Sequence, residues 1–164
     1  MSRQQRRAQT RRVHRRSYRS WIIGALVAVV VAGLFYYLGT RPLYPNVGHH
    51  WHAPFSVTIC GERLPPMPAG PGDLHSHGDD VIHIHPSRPE TGGPNATLAA
   101  FLAATPLKIT ETTLEIRGKT YTNGDRCSDG RPGRVRVTIS GRERKDFASY
   151  IPQDGDKIEF RFGP

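Results

Sequence analysis

Four of the chain's eight histidines stand within eleven positions: His75, His77, His83 and His85 form two His-x-His pairs around Gly78, Asp79 and Asp80. Three more, His49, His50 and His52, come in "HHWH". Imidazole ligates zinc, copper, nickel and iron. It also titrates near pH 6.5, so the same cluster suits acid–base work or pH sensing. Which of these applies depends on whether the rings share a face. "LHSHGDDVIHIHP" sets turn residues between two alternating runs, which predicts a β-hairpin. A three-residue loop at 78–80 pairs His75 with His83. A five-residue loop pairs His77 with His83 and His75 with His85. In both registers the odd-numbered residues share one face, so Asp73 and the four histidines project together while Leu74, Ile82 and Ile84 face the core. A two-residue loop would split the histidines between faces, against the apolar pattern.

Side chains on neighbouring strands lie about 5 Å apart, close enough for two or three imidazoles to converge on one ion. The expected site is a transition-metal centre, zinc or copper first, built from His75, His77, His83 and His85. His50 and His52 are candidate further ligands if their segment is extended. The competing reading is an exposed polar hairpin whose histidines bond to Asp73, Asp79 and Asp80, with a pH sensor between the two. "HSHGD" opens like the His-x-His-x-Asp of metallo-β-lactamases, but Asp80 follows where a histidine is needed. The cupin pattern wants a glutamate where Val81 stands. No nucleophile elbow, phosphate loop or His-Glu-x-x-His is present, so no catalytic residue is assigned. A non-enzymatic metal-holding or interaction role is the leading expectation. The alternatives are a metal-dependent enzyme with Asp79 or Asp80 as base, and a metal-free interaction module.

The elements that must position these residues read as α+β. "FSVTIC" (55–60) alternates as a strand, and the proline-rich 64–72 is a loop. Residues 95–105 predict one helix, with Asn95 as cap, Leu98, Phe101 and Leu102 on one face and Pro106 as its stop. Residues 107–118 give one or two short strands, and 121–133 a turn-rich loop. Residues 134–141 give a strand with Val135, Val137 and Ile139 inward. Residues 150–163 give a turn and a last strand with Ile158, Phe160 and Phe162 inward. A mainly antiparallel or mixed sheet with one helix follows, and its "QDGD" ending resembles the close of β-grasp domains.

The charge pattern places this domain. Residues 1–20 carry eight arginines and no acid, whereas from residue 42 onward fourteen basic residues balance fourteen acidic ones. The net charge of +9 is therefore a tail property, which argues against a nucleic-acid-binding domain. "WIIGALVAVVVAGLFYYLG" (21–39) is uncharged and long enough to cross a bilayer, with Trp21, Tyr36 and Tyr37 near its ends. The arginine block then stays cytoplasmic by the positive-inside rule. A cleaved signal peptide is the alternative, disfavoured by the long apolar run and the lack of a small-x-small cleavage site. The expected order is a basic cytoplasmic tail (1–20), a transmembrane helix (21–39), a Pro/His-rich stalk (40–54) and an extracytoplasmic domain (55–164). Its expected partners are the membrane and a protein at the cell surface. Cys60 and Cys127 would meet oxidising conditions there, which favours a disulfide over free thiols or Cys60 as a metal ligand.

Taken together, "HHWHAPFSVTICGE", "LHSHGDDVIHIHP", "GPNATLAAFLAA" and "YTNGDRCSDGRPGRVRV" resemble a group of bacterial single-pass membrane proteins. That group carries an HWH motif, a cysteine, an HxHGDGxIHxHP hairpin and a second cysteine. The likeness spans most of residues 46–164. Asp80 departs from it, standing where the second turn glycine is usual. The resemblance implies the domain and no particular reaction.

Overall fold

The computed structural model describes the backbone of residues 3–40 and 43–164, and the side chains of residues 18–39 and 43–164. The side chains of the arginine block up to Arg16, and Arg41, lie outside the described residues. The chain divides into two compact units between residues 42 and 43. The first contains helix α1 (Arg3–Thr40). Within it, Tyr18–Gly39 has a mean hydropathy of 2.3 and none of its length is buried. A helix this long and apolar fits a membrane span or a signal sequence.

The second unit is built on one long strand, β1 (Trp51–Ile59). Its odd positions Ala53, Phe55, Val57 and Ile59 are buried, and its even positions are exposed or half-buried. This alternation is what a sheet with one buried face requires. The strand begins at Trp51, four residues before the stretch whose sequence alternates most clearly. Of the residues expected to form a stalk, those from Leu43 onward belong to this unit. Pro45 is fully buried and its carbonyl accepts from Gly93 N at 2.9 Å.

After β1 come β2 (Glu62–Arg63), β3 (Leu74–His75) and β4 (Val81–Ile84). Helix α2 (Leu98–Ala103) follows, then β5 (Lys108–Ile109), β6 (Thr113–Ile116) and β7 (Lys119–Thr122). The chain closes with β8 (Arg134–Ile139), β9 (Arg142–Glu143) and β10 (Ile158–Gly163). The main sheet runs β3-β4-β1-β10-β8-β9, with β2 also on β1; β5-β6-β7 form a separate antiparallel sheet. Only β1 and β10 pair in parallel, so the sheet is mixed. Both edges of the main sheet, β3 and β9, are two residues long, which limits open edge for pairing with other chains.

Helix α2 covers the inner face. Leu98, Phe101 and Leu102 are buried, and the Phe101 ring lies 5.5 Å from that of Phe55 in edge-to-face geometry. The helix is shorter than the sequence pattern predicts, and Asn95 is not its cap. Thr97 is, accepting from Ala100 N at 3.3 Å. Asn95 instead closes a 3₁₀ turn, Gly93–Asn95, because Pro94 suits the first turn of that shorter element. The inward residues of β8 and β10 are those the alternation indicated: Val135, Val137, Ile139, Ile158, Phe160 and Phe162 are all buried.

Cys60 and Cys127 form a disulfide with Cα atoms 5.6 Å apart. Cys60 therefore is not a metal ligand. Closing a separation of 67 residues stabilises the fold by about 4 kcal/mol in the chain-entropy model. The β1–β2 turn is Cys60-Gly61, with φ of 52° and 88°. Positive φ at both central residues is the two-residue turn that matches strand twist. Arg117-Gly118 and Ser140-Gly141 repeat it between β6 and β7 and between β8 and β9.

Candidate metal centre

Two short registers bring the histidines together. Between β3 and β4, Leu74 pairs with Ile84 and His75 with His83, the register of a 78–80 loop. Between β1 and β4, Trp51 pairs with Ile84 and His52 with His83. His52, His83 and His75 thus form one row across three strands. His50, just before β1, and His85, just after β4, extend the same face by one step: their ring centroids lie 5.1 Å apart. Leu74, Ile82 and Ile84 point the other way and are buried. A one-residue slip would exchange the two sets, so burial of these apolar residues fixes the histidine face.

The ring spacings are short throughout. His50 and His52 lie 4.6 Å apart, His52 and His83 4.9 Å, His77 and His83 4.5 Å, and His75 and His85 4.7 Å. Among the described residues, one trio has ligand atoms all within 4.8 Å of one another: His50, His52 and His83. These three are positioned to hold a metal ion. His50 and His52 are exposed and His83 half-buried, so an ion has access from solvent. The two ligands that sequence reasoning held in reserve, His50 and His52, are thus central. His49 is not part of the face; its ring stacks on Trp51, and its Nδ1 accepts from Asn46 N at 3.2 Å.

Neighbouring groups orient the rings. Asp79 Oδ2 sits 2.8 Å from His83 Nε2. A carboxylate can only accept, so Nε2–H donates and, in the neutral ring, Nδ1 keeps the free lone pair. Burial raises the Asp79 pKa, but the bonds from His83 and Val81 N outweigh it and bring it down to about 2. His52 is held by its backbone. Its N–H donates to Asp154 Oδ1 at 2.9 Å, and its carbonyl accepts from Gly155 N at 2.7 Å. These contacts come from the loop before β10, and no local motif around His52 announces them. His75 is 8% exposed, and its Nδ1–H donates to Gly72 O at 2.6 Å. Burial lowers its pKa, the Gly72 bond opposes this, and the neighbouring His85, His77 and His83 lower it further. His75 is therefore favoured as neutral imidazole, the ligating form.

Asp73 does not join the histidines. Its carboxylate turns to Thr91 Oγ1 and to Ser87 N and Oγ, which bring its pKa down to about 2. It fastens the segment after the hairpin. Asp80 also serves the scaffold. It takes φ of 58°, a left-handed conformation that aspartate tolerates better than most residues, and its Oδ2 pairs with Arg63 at 2.8 Å.

Comparison of the chain with protein-family models, with curated proteins and with solved structures finds no match.

Proposed function

We propose that this chain is a membrane-anchored, extracytoplasmic metal-holding domain, with zinc or copper as the ion and no reaction of its own. The observation that carries this reading is the His50, His52 and His83 trio on a face built by register. All-imidazole donors suit borderline ions such as zinc and copper and not calcium or magnesium. The disulfide supports an oxidising compartment, and the exposed apolar helix Tyr18–Gly39 is long enough to serve as the membrane anchor. The order β2-β1-β10-β8-β9 around a parallel β1–β10 pair, with β3, β4 and then α2 inserted between β2 and the later strands, supports a β-grasp-like domain.

A metal-dependent enzyme is the second reading, because three protein ligands leave a fourth position for water or substrate. Asp79 is the base that reading needs. The Asp79 carboxylate is already engaged by His83 Nε2 and Val81 N, which suits an orienting role better than that of a base and favours the non-enzymatic reading.

The test is metal binding by the full chain purified in detergent, stripped with chelator and titrated with zinc, copper and nickel. Bound ion per chain should be measurable, and His52→Ala with His83→Ala should remove it from the trio. Binding should weaken as pH falls below the histidine range, since protonated imidazole cannot ligate. No retained ion of any of the three metals would refute the reading.

A further inference from the structure

We infer that the histidine face holds two ions rather than one, the second on His75 and His77. This rests on the metal-holding reading and extends it. Six histidines share the face, whereas a zinc site takes four ligands at most in its usual tetrahedral form. The trio that converges on the outer site leaves out His75 and His77.

Those two are placed as a pair of ligands. His75 Nδ1 is committed to Gly72 O, so the neutral ring presents its lone pair at Nε2. That atom lies 3.2 Å from His77 Nε2. Two nitrogens bound tetrahedrally to one zinc at 2.0–2.1 Å are separated by about 3.3 Å. The spacing thus matches one edge of a coordination tetrahedron without movement of either ring. The Gly72 carbonyl behind His75 is the outer partner that a metal-bound histidine ordinarily has. The His85 ring, 4.7 Å from His75 and on the same face, is a candidate for a third donor outside the trio. The His83 ring lies 4.5 Å from His77 and 4.9 Å from His52, so the two sites are neighbours across one imidazole.

A hydrogen bond from His77 Nε2–H to His75 Nε2 would give the same spacing, and counting ions separates the two. The full chain in detergent is stripped with chelator, equilibrated with excess zinc, desalted and assayed for zinc per chain. The unaltered chain should retain two zinc ions. His77→Ala and His52→Ala should each retain one, and the double variant none. His77 is exposed, so its removal leaves the core intact. His75→Asn, whose side-chain amide stands where Nδ1 stood and keeps a donor for the Gly72 carbonyl, should repeat the His77→Ala result, with circular dichroism confirming the fold. One zinc in the unaltered chain, two in His77→Ala, or loss of both ions from either single variant would overturn the second site. One ion that His52→Ala removes and His77→Ala spares would leave the metal-holding reading standing. No ion at all would sink both.

Discussion

From Trp51 to Pro54, β1 lies against β4; from Phe55 to Ile59 it lies against β10. The inward residues are apolar throughout, but the outward ones differ. The first half shows His52, with His50 just before it. The second shows Ser56 and Thr58, and the strand then runs into Cys60 and its bond to Cys127. The neighbours differ in length too. β4 has four residues and β3 two, whereas β8 and β10 have six each. Fewer ladder bonds and a shorter apolar row make the histidine half the one that opens more readily. One end of the strand is closed by a covalent link that holds under oxidising conditions. The other carries a cluster that a bound ion would tighten reversibly. A metal has most to add where the sheet alone gives least.

Four measurements sharpen or break that contrast. Replacing Cys60 and Cys127 together by alanine should cost about 4 kcal/mol of stability, read from denaturant unfolding. A loss under about 1 kcal/mol would mean that the six-residue strands hold their half without the staple.

Zinc at a hundred times its dissociation constant should add about 2.7 kcal/mol, a rise of roughly 10 °C in Tm for a domain of this size. Hydrogen exchange should locate the gain. Amides of Val81–Ile84 should slow on adding zinc, and those of Ile158–Gly163 should change far less below the global unfolding limit. Equal slowing of both strands would show that the sheet opens as one unit and that the halves are not distinct.

The loop before β10 links the two halves, because Asp154 and Gly155 hold His52 while Asp156 is gripped by Tyr150 and Ser140. The Tyr150 hydroxyl donates to Asp156 Oδ2 at 2.5 Å. Burial and then the Asp156 carboxylate raise its pKa well above the ordinary phenol value near 10. A raised folded value means that the contribution is whole below about pH 10 and is lost as pH climbs toward the folded value. Tyr150→Phe should therefore cost about 1 kcal/mol at neutral pH and flatten the alkaline decline. An unchanged alkaline profile would remove Tyr150 as the link's anchor.

The smallest effect is expected at the turn. Asp80→Gly relieves the left-handed backbone but loses the Arg63 pair, which is exposed on the arginine side. The two should nearly cancel, within about 0.5 kcal/mol, with zinc affinity unchanged. A large drop in zinc affinity would make Asp80 part of the site.

Much of this arrangement was legible in the chain itself. The two-residue period of 73–86 marked Leu74, Ile82 and Ile84 as core, and their burial put His75, His77, His83 and His85 on the opposite face. The same period gave the inward residues of β8 and β10. Local signals misled where two turn chemistries competed. Asn95 is a good cap by type, but Pro94 directs it into a 3₁₀ turn and Thr97 caps the helix. Three Ile-x-Gly turns, at Ile59, Ile116 and Ile139, open hairpins that the sequence reading did not separate, because return strands of two to four residues carry little period.

What the sequence determined by itself is what nearest neighbours and period fix: an apolar helix beside an arginine block, α+β order, and a hairpin with one histidine face. The tertiary structure decided which histidines converge. His50 and His52 lie far from His83 along the chain, and only the antiparallel pairing of β1 with β4 brings His52 opposite His83. That pairing is set by burying Ala53 beside Ile82 on the inner face, a contact between segments that no local pattern encodes.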